Sequence, residues 1–218
     1  MEVLYLLALA AMAMAAGRLG RSAARRRRAA YIDDFAFHPA VLNKLREVRP
    51  GLTTAQEELV LAALRDYFHL CNMAGRRMVA MPSQVVDDAW HAFILFTRAY
   101  EQFCRRAFGR FLHHTPAEAM AAPTLAQDGI RRAWRLACAR DGIDPKQPLR
   151  LPLLFSIDSD LAIPNGFRYT LDCAVTTGTQ NTGSYCASHI GCGGSGCSGG
   201  LGDGAGCGGD GGGGCGGD

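Results

Sequence analysis

Apolar and polar positions divide the chain into three stretches. Val3 to Ala16 (VLYLLALAAMAMAA) carries no charge, residues 31–173 are patterned mostly at helical spacing, and from Gly183 onward the chain is mainly Gly with Cys, Ser and Asp. In the middle stretch, His38-Pro39 opens a short helix to about Val48, with proline near the start where its missing N–H is tolerated. Pro50-Gly51 breaks it. Thr54-Ala-Gln-Glu57 has the capping-box pattern, so a helix over 55–74 follows, closed by Gly75. Val60, Leu64, Tyr67, Phe68 and Cys71 form its apolar stripe, and His69 shares a solvent-facing side with Glu58, Arg65 and Asn72.

Pro82-Ser83 starts the longest element, one helix over 84–107 ended by Gly109. Val86, Trp90, Phe93, Thr97, Tyr100 and Cys104 fall on its apolar face. Asp87, His91, Ile94, Arg98, Glu101 and Arg105 form a polar stripe. Thr115-Pro-Ala-Glu118 repeats the capping-box pattern, and a helix from Thr124 or Leu125 to Ala139 stops at Asp141-Gly142. Leu151 to Ile163 and Phe167 to Ala174 alternate around the turn signal Pro164-Asn165-Gly166, which predicts a hairpin or an extended wrap. The expected chain is therefore mainly α. It has a membrane anchor helix over 1–20, a basic juxtamembrane segment over 21–30, a small helical domain over 31–173 with a short C-terminal β-hairpin or wrap, and a disordered Gly/Cys-rich tail over 174–218.

Charge sharpens the reading of the N-terminus. The net charge is only +3 over 218 residues, yet Arg18, Arg21 and the run Arg25 to Arg28 crowd one short stretch. The apolar run is short against the ~20 residues a span needs, although Gly17, Leu19 and Gly20 extend it past Arg18, whose stem can snorkel. A secretory signal would carry its basic residues before the run. Here they follow it, which predicts a single pass through a bacterial inner membrane, N-terminus outside and domain cytoplasmic, with the arginines on anionic headgroups. Secretion after cleavage near AMAMAAG is the alternative. The expected partners are the membrane, through residues 1–28, and a protein. The basic run is read as membrane-directed, not as a nucleic-acid site.

Nine cysteines, an odd number spread along the chain, do not form a compact secreted disulfide framework. Cys71, Cys104 and Cys138 lie in apolar helical contexts and read as small buried hydrophobes. The tail cysteines lack a regular zinc spacing.

The chemistry-bearing segment is Met81 to Pro116, MPSQVVDDAWHAFILFTRAYEQFCRRAFGRFLHHTP. It sets Asp87 three residues before Trp90-His91, then Tyr100, Cys104, Phe108-Gly109 and His113-His114 before Pro116. This pattern, with LPLLFSID, IPNGFRY and the Gly/Cys-rich end, resembles bacterial glycine-rich domain-containing proteins and, more distantly, plant proteins of that name. The resemblance covers most of residues 31–173. It implies a second histidine two positions after the first; this chain has Phe93 there.

Asp87 and His91, four apart, can point the same way as ligands of a divalent metal or as an orienting pair. On one continuous helix Cys104 is too far from His91 to share an ion, so His113 and His114 fall nearer Cys104. The metal candidates are thus Asp87 with His91, or Cys104 with His113 and His114. HExxH, paired CxxC, a phosphate loop and a GxSxG elbow are all missing, and no catalytic residue is assigned. The sequence favours a membrane-tethered, non-enzymatic binding or scaffold protein. A metal-binding or metal-dependent protein is the alternative, and a tail that is a substrate for modification is a third reading.

Overall fold

The structure is a computed structural model that describes residues 1–114, 123–171, 184–186 and 190. It is mainly helical: α1 (Glu2–Asp34), α2 (Pro39–Val48), α3 (Thr54–Ala74), α4 (Gln84–Ile94), α5 (Thr97–Phe108), α6 (Pro123–Asp141) and α7 (Leu153–Asp160), with β1 (Arg168–Thr170) and β2 (Ser184–Cys186). The expected tail over 174–218, apart from residues 184–186 and 190, and the Thr115–Glu118 capping box lie outside the described residues.

The central helix is α3, which meets α1, α4, α5, α6 and α7. Its stripe Val60, Leu64, Tyr67, Phe68 and Cys71 is buried as the periodicity predicts. The capping box starts one residue earlier than expected: the Thr53 side chain accepts from the Gln56 N–H, and Gln56 returns a bond to the Thr53 N–H. Around Phe68 sit Phe93, Phe103 and Phe108, and Phe35 and Phe37 close the cluster from the end of α1. Tilted and edge-to-face ring contacts of this kind add to the burial each ring supplies.

Part of the side of α3 read as solvated is covered, while Glu58 stays exposed. His69 and Asn72 are 3% and 8% exposed because α1 continues as a helix through Asp34 and lies on them. Asp33 Oδ1 stands 2.6 Å from His69 Nε2, and the Asn72 amide donates to the Arg25 carbonyl at 3.2 Å. The basic segment and the mixed residues after it are therefore one helix whose second half is part of the fold.

The first half of α1 holds the segment read as an anchor. Among the described residues no helix is long and apolar enough to cross a membrane. The uncharged run of Val3 to Ala16 leads straight into Arg18 and Arg21 of the same helix. Tyr5, Leu6, Leu7, Met12, Met14 and Leu19 are exposed on this arm.

Two further expectations change. The single helix over 84–107 breaks at Leu95–Phe96, where Phe96 has ψ 62° and donates to the Phe93 carbonyl three residues back. The Leu151–Ile163 stretch is no strand: it forms α7, in which Leu154, Phe155, Ile157 and Asp158 are buried at helical spacing. β1 pairs with β2 in parallel, Arg168 beside Ser184 and Thr170 beside Cys186, so the expected hairpin, which needs antiparallel strands, is not formed there.

Asp158 ties this C-terminal part to α4. Its carboxylate, 2% exposed, accepts from Ser83 Oγ (2.8 Å), Gln84 N (2.7 Å), Val85 N (3.1 Å) and Phe167 N (2.8 Å). The first turn of α4 is thus capped by a residue more than seventy positions away, in addition to its own Ser83 N-cap. A negative charge there also suits the helix N-terminus. Gly166 permits the approach, since a Cβ on it would stand 2.8 Å from that of Asp158.

Candidate metal site on α4

Asp87 sits in the first turn of α4 and His91 one turn later, so helical geometry alone points both the same way. Their separation is 3.3 Å between Asp87 Oδ2 and His91 Nδ1. The third member arrives from the chain after α5. Because the helix breaks at Leu95–Phe96, α5 folds back and the segment after Gly109 returns along α4. His114 Nε2 then lies 2.9 Å from Asp87 Oδ1, and its ring lies 4.2 Å from that of His91, centre to centre. One ligand atom from each of Asp87, His91 and His114 falls within 4.8 Å of the others.

The pieces of the sequence motif position this trio. On an unbroken helix Trp90 and Tyr100 would be about 15 Å apart along the axis. Instead Trp90 Nε1 donates to the Tyr100 hydroxyl at 3.1 Å, and that hydroxyl donates to the Leu112 carbonyl at 2.5 Å. This relay fixes the backbone two residues before His114. The Trp90 indole then meets the His114 ring edge-on at 4.5 Å and limits its rotation. Burial pushes the Tyr100 phenol far above its ordinary pKa, so it stays protonated and keeps donating. Gly109 ends α5 in the left-handed region, φ 68°, and turns the chain back.

His113 points away from the trio. It is exposed and rests against Phe111 at 4.9 Å. Cys104 is fully buried beside Tyr100 and the Leu112 backbone, and the structure brings neither histidine of the pair to it among the described residues. Burial raises the Cys104 thiol, and raises Cys71 to about 12 and Cys138 to about 11. These are packing cysteines without the thiolate character of a nucleophile. His69, paired with Asp33, is not near this site by any contact of its own. Asp88, beside Asp87, is used elsewhere: Arg49 Nε holds it at 2.7 Å and fixes α4 to the end of α2.

The sequence contains Asp87 and His91 in plain view at helical spacing. The choice of His114 over His113, and its place beside Asp87, depended on the break at Leu95–Phe96, for which the only signal was Tyr100 ten residues after Trp90.

The arrangement offers two imidazoles and a carboxylate. Asp87 is 22% exposed and His114 12%, while His91 is 51% exposed, so the trio is anchored on one side and open to solvent on the other. No match is found among curated proteins, nor among solved structures. The resemblance to glycine-rich proteins stands on the motif alone. A family model, UCP032817-like, matches residues 27–190, from the docked end of α1 to beyond β2, and the chain belongs to that family.

Proposed function

We propose that this chain is a metal-binding protein in which Asp87, His91 and His114 hold one divalent transition-metal ion. The carrying observation is the convergence of three ligand atoms within 4.8 Å. Ligands bound at about 2.0–2.1 Å stand no more than about 4.2 Å apart, and the half-exposed His91 ring can rotate to make up the difference. Two nitrogens and a carboxylate suit zinc or ferrous iron. Three protein ligands leave a position for water or a substrate oxygen, the arrangement of catalytic sites rather than closed structural ones. The Trp90–Tyr100–Leu112 relay is the outer support that such a ligand set needs.

The test is equilibrium zinc binding to the full chain in competition with a chelating dye. His114→Ala should weaken binding by at least about tenfold, the usual scale for loss of a ligand or its support. His113→Ala should bind as the unaltered chain does. Equal affinity in all three proteins contradicts the assignment.

A second role is supported by the exposed apolar arm of α1 with its arginines. It suits shallow attachment to an anionic membrane surface, the domain then acting as a tethered binder of a protein partner. An arm truncated before Arg18 should no longer sediment with anionic vesicles.

A further inference from the structure

A concave site lies where α3 and α5 end beside α1. It is a cleft of about 210 Å³. Arg28 of α1, Arg76 after α3 and Arg110 after α5 line it, and none of its lining residues is acidic. Three guanidinium groups gathered without a counter-charge repel one another, and helix ends are the usual explanation for arginines in such a place.

That explanation covers only part of the set. Arg25 donates to the Met73 carbonyl at 2.7 Å and Arg110 to the Gly75 carbonyl at 2.8 Å, which satisfies exposed carbonyls at the end of α3. Arg28 and Arg76 have no hydrogen-bond or ion-pair partner among the described residues. Arg28 is nonetheless placed closely. Its guanidinium lies against Gly109, where a Cβ would collide with Nη2. Gly109 thus serves both the left-handed turn and the approach of this guanidinium. The wall of the cleft also includes Asn72, 8% exposed, whose carboxamide oxygen is buried without a hydrogen-bond partner.

We propose that this cleft binds a phosphate group, with Arg28, Arg76 and Arg110 as donors. Planar guanidinium forks match phosphate oxygens and form charge-assisted bonds with them. The cleft lies at the base of the exposed arm of α1, so a phospholipid headgroup and a soluble phosphate are the two sources of the same chemistry.

Both sources are testable on the full chain. Inorganic phosphate is titrated by calorimetry, and phosphatidylcholine vesicles with and without phosphatidylglycerol are used in co-sedimentation. The comparison is between the unaltered chain, the double variant Arg28→Gln/Arg76→Gln, and Arg98→Gln, a control at the opposite end of α5. The replaced arginines bond nothing described, so the double variant should keep its helical circular dichroism and melting midpoint. Saturable binding of either probe that weakens at least about tenfold in the double variant, as expected for lost hydrogen bonds to charge, and persists in the control supports the proposal. Competition by phosphate against the anionic vesicles identifies the lipid as the source. Binding that is equal in the double variant, or no binding of either probe by the unaltered chain, overturns it.

Discussion

Tyr100 shows most directly how one side chain sets the candidate site. Its hydroxyl is both acceptor for Trp90 and donor to Leu112, all buried. Tyr100→Phe leaves an indole N–H and a carbonyl without partners in the core, at about 1–3 kcal/mol for an unsatisfied buried group. Denaturant titration should show that loss, and zinc binding should weaken with it although Tyr100 is no ligand. At the same scale, Cys71, Cys104 and Cys138 should resist alkylation in the native chain and react on unfolding, read by mass mapping of the labelled sites. Their burial was legible from helical spacing. The roles of His113 and His114 were not, because neighbouring residues in an irregular segment point apart by backbone geometry that no periodicity encodes.

Among the elements, the informative case is the pair α4 and α5. Helical spacing ran unbroken through Thr97, and neither glycine nor proline marked the break. What decides it is burial: Trp90, Phe93, Tyr100 and Phe103 all pack inward, and a bend lets them close on one aromatic cluster with α3. Thr97, expected on the apolar face, is exposed as a result. Turning the chain back then depends on Gly109. Gly109→Ala forces a side chain into the left-handed region and against Arg28, which should cost about 1–2 kcal/mol in denaturant unfolding. α7 gives a stronger test. Asp158→Ala removes the acceptor of four hydrogen bonds, three of them from buried or part-buried backbone N–H groups at two separate segments. The expected loss is roughly 3 kcal/mol or more, and a loss below about 1 kcal/mol would contradict the role. The alternation that suggested a strand there was real but ambiguous, since a short apolar run fits a buried helix equally well.

At the scale of the molecule, the docking of α1 is what the sequence concealed most. The arginine run beside an apolar stretch pointed to a membrane boundary, and residues of this run, with Ile32 and Asp33 beyond them, also complete the fold around α3. Packing against α1 leaves His69 buried. Burial, followed by the charge of Arg140, lowers its pKa below the ordinary value near 6.5, against the opposing pull of Asp33. The unfolded chain therefore binds this proton first as pH falls. The stability carried by neutral His69 is complete above about 6.5 and is lost as pH drops through the lower folded value. The denaturation midpoint should fall between pH 7 and pH 5, and His69→Gln should reduce that fall. The central claim concerns the trio on α4, and metal content tests it most directly. The full chain, purified without a metal-binding tag, is measured by inductively coupled plasma mass spectrometry beside Asp87→Ala, which removes the carboxylate both histidines face. A stoichiometric divalent ion in the unaltered chain that is lost in Asp87→Ala is the predicted result. Metal at background level in both, or equal content in both, would contradict it.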